Sequence, residues 1–199
     1  MSGDGRMSFR FPIALVLSFV CFAVPAWADF QAGMDANNRG DYATALREWR
    51  PLAEQGDALA QYNMGVLYRK GRGVPQDDVQ ARRWYEKAAI QGQTKAQFSL
   101  GTLYFNGEGV PKDYRQALRW FRLAADQGEA VAQTKIAIMY DDGQGVPHDI
   151  VQAYKWYSLA ATNGDKPAAE LRDRTAKEMT PAQIAEAQKL AQAWKPKSK

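Results

Sequence analysis

His148 is the only histidine of the chain, so any acid–base or metal site that needs an imidazole must be built on it. It directly follows Gly145-Val146-Pro147. Gln76 and Lys112 hold the same place after two earlier copies of that triplet. A column that takes Gln, Lys and His alike reads as the start of a solvent-facing loop, so His148 is expected to be a surface residue. No His-Glu-x-x-His, no Gly-x-Ser-x-Gly and no phosphate-binding loop occurs. Asp141-Asp142-Gly143 hints at calcium, but the spacing and the closing glutamate of a calcium loop are missing. It reads as a polar helix end. The single cysteine, Cys21, cannot supply a ligand set by itself. The expectation is a chain with no catalytic residue, no metal ligand and no cofactor.

What these residues sit on is a repeat. Gly73-Val74-Pro75, Gly109-Val110-Pro111 and Gly145-Val146-Pro147 are spaced by 36 residues. Ala45, Ala81, Ala117 and Ala153 keep the same step, as do Gly56, Gly92, Gly128 and Gly164. Trp84, Trp120 and Trp156 form another column, and Tyr68, Tyr104 and Tyr140 another. A period in this range means stacked units, each too small to bury its own apolar face. Most conspicuous residues are then packing residues.

Each unit reads as two helices. Asp57 is a good N-cap, and Ala60, Met64, Leu67 and Tyr68 recur at helical spacing with Gly65 on their face. Gly71-Arg72-Gly73 ends that helix, and the residue before Pro75 turns the chain. A second helix starts near Asp77, carries Ala81, Trp84, Tyr85, Ala88 and Ala89, and stops at Gly92. Small Ala and Gly positions let helices approach closely, and the Trp and Tyr rings are expected to fill the space between successive pairs. The ends are atypical. A short opening helix covers 31–39, and the next runs from Asp41 to Gly56 with Trp49 one residue out of the tryptophan column. At the far end Pro167 to Glu178 is followed by no glycine loop. Thr180-Pro181 opens a last helix, Ala182 to Trp194, whose Ile184, Ala187, Leu190 and Ala191 form an apolar stripe. A solenoid over 29–179, closed by a capping helix and basic tail over 180–199, is the expected domain plan.

Residues 1–28 stand outside the repeat. Arg6 and Arg10 precede the apolar run Phe11 to Val24, which ends at Ala26-Trp27-Ala28. This is the form of a secretory signal peptide, cleaved before Asp29. Its loss removes Cys21, two of the 26 basic residues and one of the 22 acidic ones, so the net charge falls from +4 to +3. An exported chain with that mild charge is not expected to bind nucleic acid. Without disulfides it must be held by its core. No later apolar stretch is long enough to span a membrane. The expected location is periplasmic or secreted.

The repeat resembles the Sel-one-like repeat family, a relative of the tetratricopeptide repeats. The residues that carry the likeness are Ala96, Leu100-Gly101, Tyr104, Gly107, Gly109-Val110, Asp113, Ala117, Trp120, Ala124-Ala125 and Gly128. It extends over about 41–164 and departs at Ala137, where glycine is usual, and at Glu48, where tryptophan is usual. The resemblance implies an all-α, right-handed solenoid and a protein-interaction role. It also suggests partners such as an envelope sensor or an assembly factor. Some cysteine-rich members of the family bind or slowly cleave penicillin-like compounds, which makes a penicillin-binding or weak β-lactamase-like hydrolase the alternative. This chain has neither their disulfides nor a Ser-x-x-Lys or Lys-Thr-Gly motif.

A binding face can be read from the side of each first helix opposite its packing positions. In related helical repeats that side lines the concave surface. It holds Leu59, Tyr62, Val66, Phe98, Phe105, Val131 and Ile138, together with Asn63, Ser99, Thr102 and Thr134. A solvated helix face would be mostly charged, so grouped apolar residues suggest a groove for a protein or peptide. Arg69, Lys95 and Lys135 against Asp141 make its sign mildly positive, which suits an apolar partner segment with some acidic residues.

Overall fold

A computed structural model describes residues 29–196. The leader assigned to 1–28, including Cys21, and the last residues of the tail, 197–199, lie outside the described residues. Within them the chain forms helices and no strand. They are α1 (Phe30–Asn38), α2 (Tyr42–Glu54), α3 (Ala58–Lys70), α4 (Asp78–Ile90), α5 (Thr94–Asn106), α6 (Tyr114–Asp126), α7 (Ala130–Asp141), α8 (Ile150–Thr162), α9 (Lys166–Ala176) and α10 (Pro181–Ala193). Each helix from α1 to α9 packs on its neighbour in the chain, the layout of a solenoid, and α10 packs back on α8.

The starts are fixed by capping. Asp57, Asp77, Asp113 and Asp149 each accept a backbone N–H of the first turn that would otherwise lack a partner. At α10 Thr180 and Gln183 form a reciprocal capping box, with Pro181 at the first helical position. Gly71 and Gly107 end α3 and α5 in the left-handed conformation.

The Gly-Val-Pro triplet does more than turn the chain. Gly109 has φ +64°, and a Cβ there would stand 2.4 Å from the backbone carbon of Asp78, at the start of α4. Gly73 meets Tyr42 and Leu46 of α2, and Gly145 meets Tyr114 of α6, in the same way. Each loop therefore presses on the second helix of the preceding unit. Only glycine fits that approach and that backbone together.

The core differs from the sequence expectation at one point. The fully buried rings are Trp49, Tyr85, Phe121 and Tyr157, at most 2% exposed. The expected core column of Trp84, Trp120 and Trp156 lies one residue earlier, about 100° around the helix. Trp84 and Trp120 are only half-buried, at the edges of the clusters formed with the preceding unit. The inner rings win because they face the small residue of the first helix. A Cβ on Gly65 would lie 2.5 Å from the Tyr85 ring, one on Gly101 2.7 Å from Phe121, and one on Gly33 2.3 Å from Trp49. Ala137 holds the corresponding position on α7, in one buried cluster with Tyr157. Trp49, out of the tryptophan column, is in register with the inner one. Helices α1 and α2 are thus a full hairpin whose connection, 39–41, is shorter than the 71–77 connection of the next unit and lacks the triplet.

Candidate binding surface

The seven expected contact residues all lie on first helices: Leu59, Tyr62 and Val66 on α3, Phe98 and Phe105 on α5, Val131 and Ile138 on α7. Leu59 and Val131 are open to solvent, at 51% and 44% exposure. The other five are half-buried and rest on the core. Tyr62 lies 5.8 Å from the Tyr85 ring and Phe98 5.6 Å from Phe121. Phe105 meets Tyr114 edge-on at 5.2 Å, and the Lys135 ammonium stands 5.6 Å from its centroid. Burial holds the Tyr62 phenol above the usual tyrosine range, and a hydrogen bond to Ser99 offsets part of that.

Two polar residues expected on this face are engaged elsewhere. Thr134 is buried, and its hydroxyl donates to Asp165 Oδ2 at 2.6 Å. Asn63 donates to the Met34 sulfur of the preceding hairpin. The charges are partly spoken for as well. Arg69 pairs with Glu108 of the next unit at 2.7 Å, and Asp141 accepts from the Tyr157 hydroxyl at 3.4 Å. Lys95 remains exposed between Leu59 and Val131 in the same repeat column.

A trough of about 910 Å³ opens beside this face. It runs along the first turns of α3 and α5 and the end of α6. Leu59, Lys95 and Leu123 line it with the polar turns at 91–94 and 126–129. Of the seven expected residues only Leu59 belongs to it.

Beneath the trough lies a feature that the sequence reading passed over. Gln61, Gln97 and Gln133 are buried, and each donates its amide to a carbonyl of the preceding second helix: Ala53, Ala89 and Ala125. Each also accepts from the residue just past the second helix of its own hairpin, Gln91, Gln127 and Asn163 respectively, at 2.8–2.9 Å. Gln91 and Gln127 reach on to the carbonyls of Gly56 and Gly92. The ladder ties each unit to its neighbour through satisfied polar groups. Its signal was present, since both glutamine columns keep the 36-residue step. Polar columns are easily read as surface.

His148 is exposed, and its Nδ1 lies 2.6 Å from the Asp141 carbonyl at the end of α7. Among the described residues, no three His, Cys, Asp or Glu side chains converge as metal ligands.

Hairpins tied by glycine loops and a glutamine ladder, with apolar side chains open on the first helices, define an α-solenoid of the interaction-repeat class. Residues 58–93, 94–129 and 130–165 each match the Sel1 repeat, and the chain belongs to that family. Its members are generally protein-interaction scaffolds and typically non-catalytic. The chain is similar to a Sel1 repeat protein from Oxalobacter formigenes, with 36% identity and a TM-score of 0.67 over 70% of this chain and 58% of that one. It is also similar to c5321, a protective antigen of uropathogenic Escherichia coli with an SLR fold, at 31% identity and TM-score 0.57, covering 82% of this chain and 44% of that one. The Helicobacter pylori cysteine-rich protein B shares the fold at 21% identity and TM-score 0.53, over 65% of this chain and 96% of that one. The chain therefore spans about half the length of the first two. No curated protein matches it significantly.

Proposed function

We propose that the chain is exported by its leader, 1–28, and works in the periplasm or outside the cell as a non-catalytic scaffold or regulator. The solenoid over 29–179, capped by 180–199, holds an apolar segment of another protein that carries some acidic residues. An envelope sensor or an assembly factor has the required character. The observation that supports this most is the exposure of Leu59 and Val131 at matching positions of α3 and α7, with the Lys95 ammonium between them. Two open aliphatic anchors flanking a cation suit a segment with an acidic residue between apolar ones. Tyr62, Val66, Phe98, Phe105 and Ile138, half-buried further along the same helices, extend the apolar surface.

Photo-crosslinking amino acids placed at 59, 131 and, as control, 112 test this in the exported protein. Positions 59 and 131 should trap the same partner, and position 112 should not. Leu59→Glu with Val131→Glu should abolish that capture while changing stability by roughly 0.5 kcal/mol at each site. Equal trapping from all three positions would place the binding surface elsewhere.

A further inference from the structure

In the outer aromatic column the first unit carries Glu48 where later units carry Trp84, Trp120 and Trp156. Those tryptophans pack at the edge toward a preceding unit, and the first unit has no preceding hairpin among the described residues. Glu48 is nevertheless 5% exposed. Its Oε1 accepts from the Arg47 guanidinium at 3.2 and 3.0 Å, while Arg47 itself stays 61% exposed. Its Oε2 accepts from the backbone N–H of Asp29 at 3.2 Å. Arg47 satisfies Oε1 from a largely exposed position, while the buried carboxylate's other oxygen, Oε2, has only a neutral amide, a weaker partner than a cation. That same nitrogen belongs to the residue directly after Ala26-Trp27-Ala28.

We propose that cleavage at Ala28–Asp29 converts this amide nitrogen into an α-ammonium that forms a partly buried ion pair with Glu48, so that export completes the N-terminal end of the solenoid. The inference rests on the leader reading given above. In the step, a leader peptidase adds water across the peptide bond. Ala28 departs with the new carboxylate, and the Asp29 nitrogen takes up the protons and is cationic at neutral pH, since an α-amino group titrates near ~8. The nitrogen already lies at hydrogen-bond distance, so no rearrangement is needed. The Asp29 carboxylate does not compete for it, because it accepts from Gln31 N–H at 2.8 Å as the cap of α1.

The test begins with the N-terminal sequence of the exported protein. A start other than Asp29 overturns the inference together with the cleavage position. With the start at Asp29, three forms are melted: native, α-N-acetylated, and one retaining Ala28. Either change should lower the midpoint by roughly 3 °C. In a Glu48→Gln background the three forms should melt within about 1 °C of one another. No loss with Glu48 present, or the same loss in the Glu48→Gln background, overturns the ion pair and leaves the export reading intact. Should Glu48→Gln fail to fold, acylation of the Asp29 amine decides. It should be several-fold slower in the native protein than in urea, and equal rates overturn the inference.

Discussion

The two ends of the solenoid solve one problem in opposite ways. In the middle units the outer tryptophans, Trp84 and Trp120, lie half-exposed with Lys87 and Arg119 over their rings at 4.4 and 5.9 Å. At the C-terminal end Trp156 is only 6% exposed, because Trp194, just past α10, meets its ring edge-on at 6.1 Å. At the N-terminal end the ring is absent, and Glu48 faces Asp29. One end covers the repeat with an added helix, and the other changes the repeat itself. The inner column obeys no such division. Trp49 and Tyr157 are as buried as Tyr85 and Phe121 between them. Stacking demands the inner ring everywhere and tolerates change in the outer one.

The sharpest way to break this comparison is to remove an inner ring at an end. Trp49→Ala should cost about 3–5 kcal/mol, because its fully buried ring fills the space above Gly33 and its Nε1 donates to the Phe30 carbonyl at 3.1 Å. Urea unfolding measures the loss. Trp194→Ala should cost about 1–2 kcal/mol, since it uncovers Trp156 without emptying the core. Trp120→Ala, which removes a half-buried outer ring, belongs with Trp194. If Trp194→Ala or Trp120→Ala proved as costly as Trp49→Ala, the distinction between inner and outer columns would fall.

That distinction also marks where the sequence stopped being legible. The hairpins, their aspartate caps and the glycine stops could be read to within a residue or two, because each is a local rule acting on a few neighbours. The choice between Trp84 and Tyr85 could not, since both lie on one apolar arc and the decision depends on which of them meets Gly65 across the hairpin. A signal existed: the column of Trp49, Tyr85, Phe121 and Tyr157 is aromatic in every unit, whereas the tryptophan column lapses at Glu48. The apolar stripe proposed as a contact face was legible in the sequence, but its exposure was not. Leu59 and Val131 sit early in their helices and protrude. Phe98 and Phe105 are turned onto Phe121 by the packing of α5 on α6.

The smallest expected effect appears only in alkaline solution, and it separates the ends by chemistry. Trp49 at one end cannot ionise, whereas Tyr157 at the other can. Burial pushes the Tyr157 phenol well above its usual range, and the neighbouring Asp141 carboxylate pushes it further. A raised folded-state pKa means that the folded protein keeps the proton longer than the unfolded chain does. The neutral phenol's contribution is therefore complete below the unfolded value near ~10 and is lost as pH rises beyond it toward the folded one. Tyr85 and Tyr62, also raised chiefly by burial, act in the same direction. Lys155, lowered by burial and by the nearby Arg122 charge, acts in the opposite one. Tyr157→Phe isolates the C-terminal contribution, because every other group is common to both proteins. Melting midpoints of the two should run parallel from pH 7 to 9. Above pH 10 the wild type should fall more steeply, and Phe at 157 should soften the decline. Parallel curves up to pH 11.5 would show that Tyr157 ionises as readily in the folded protein as in the unfolded one. The inner column at that end would then be open to water, as no inner ring should be.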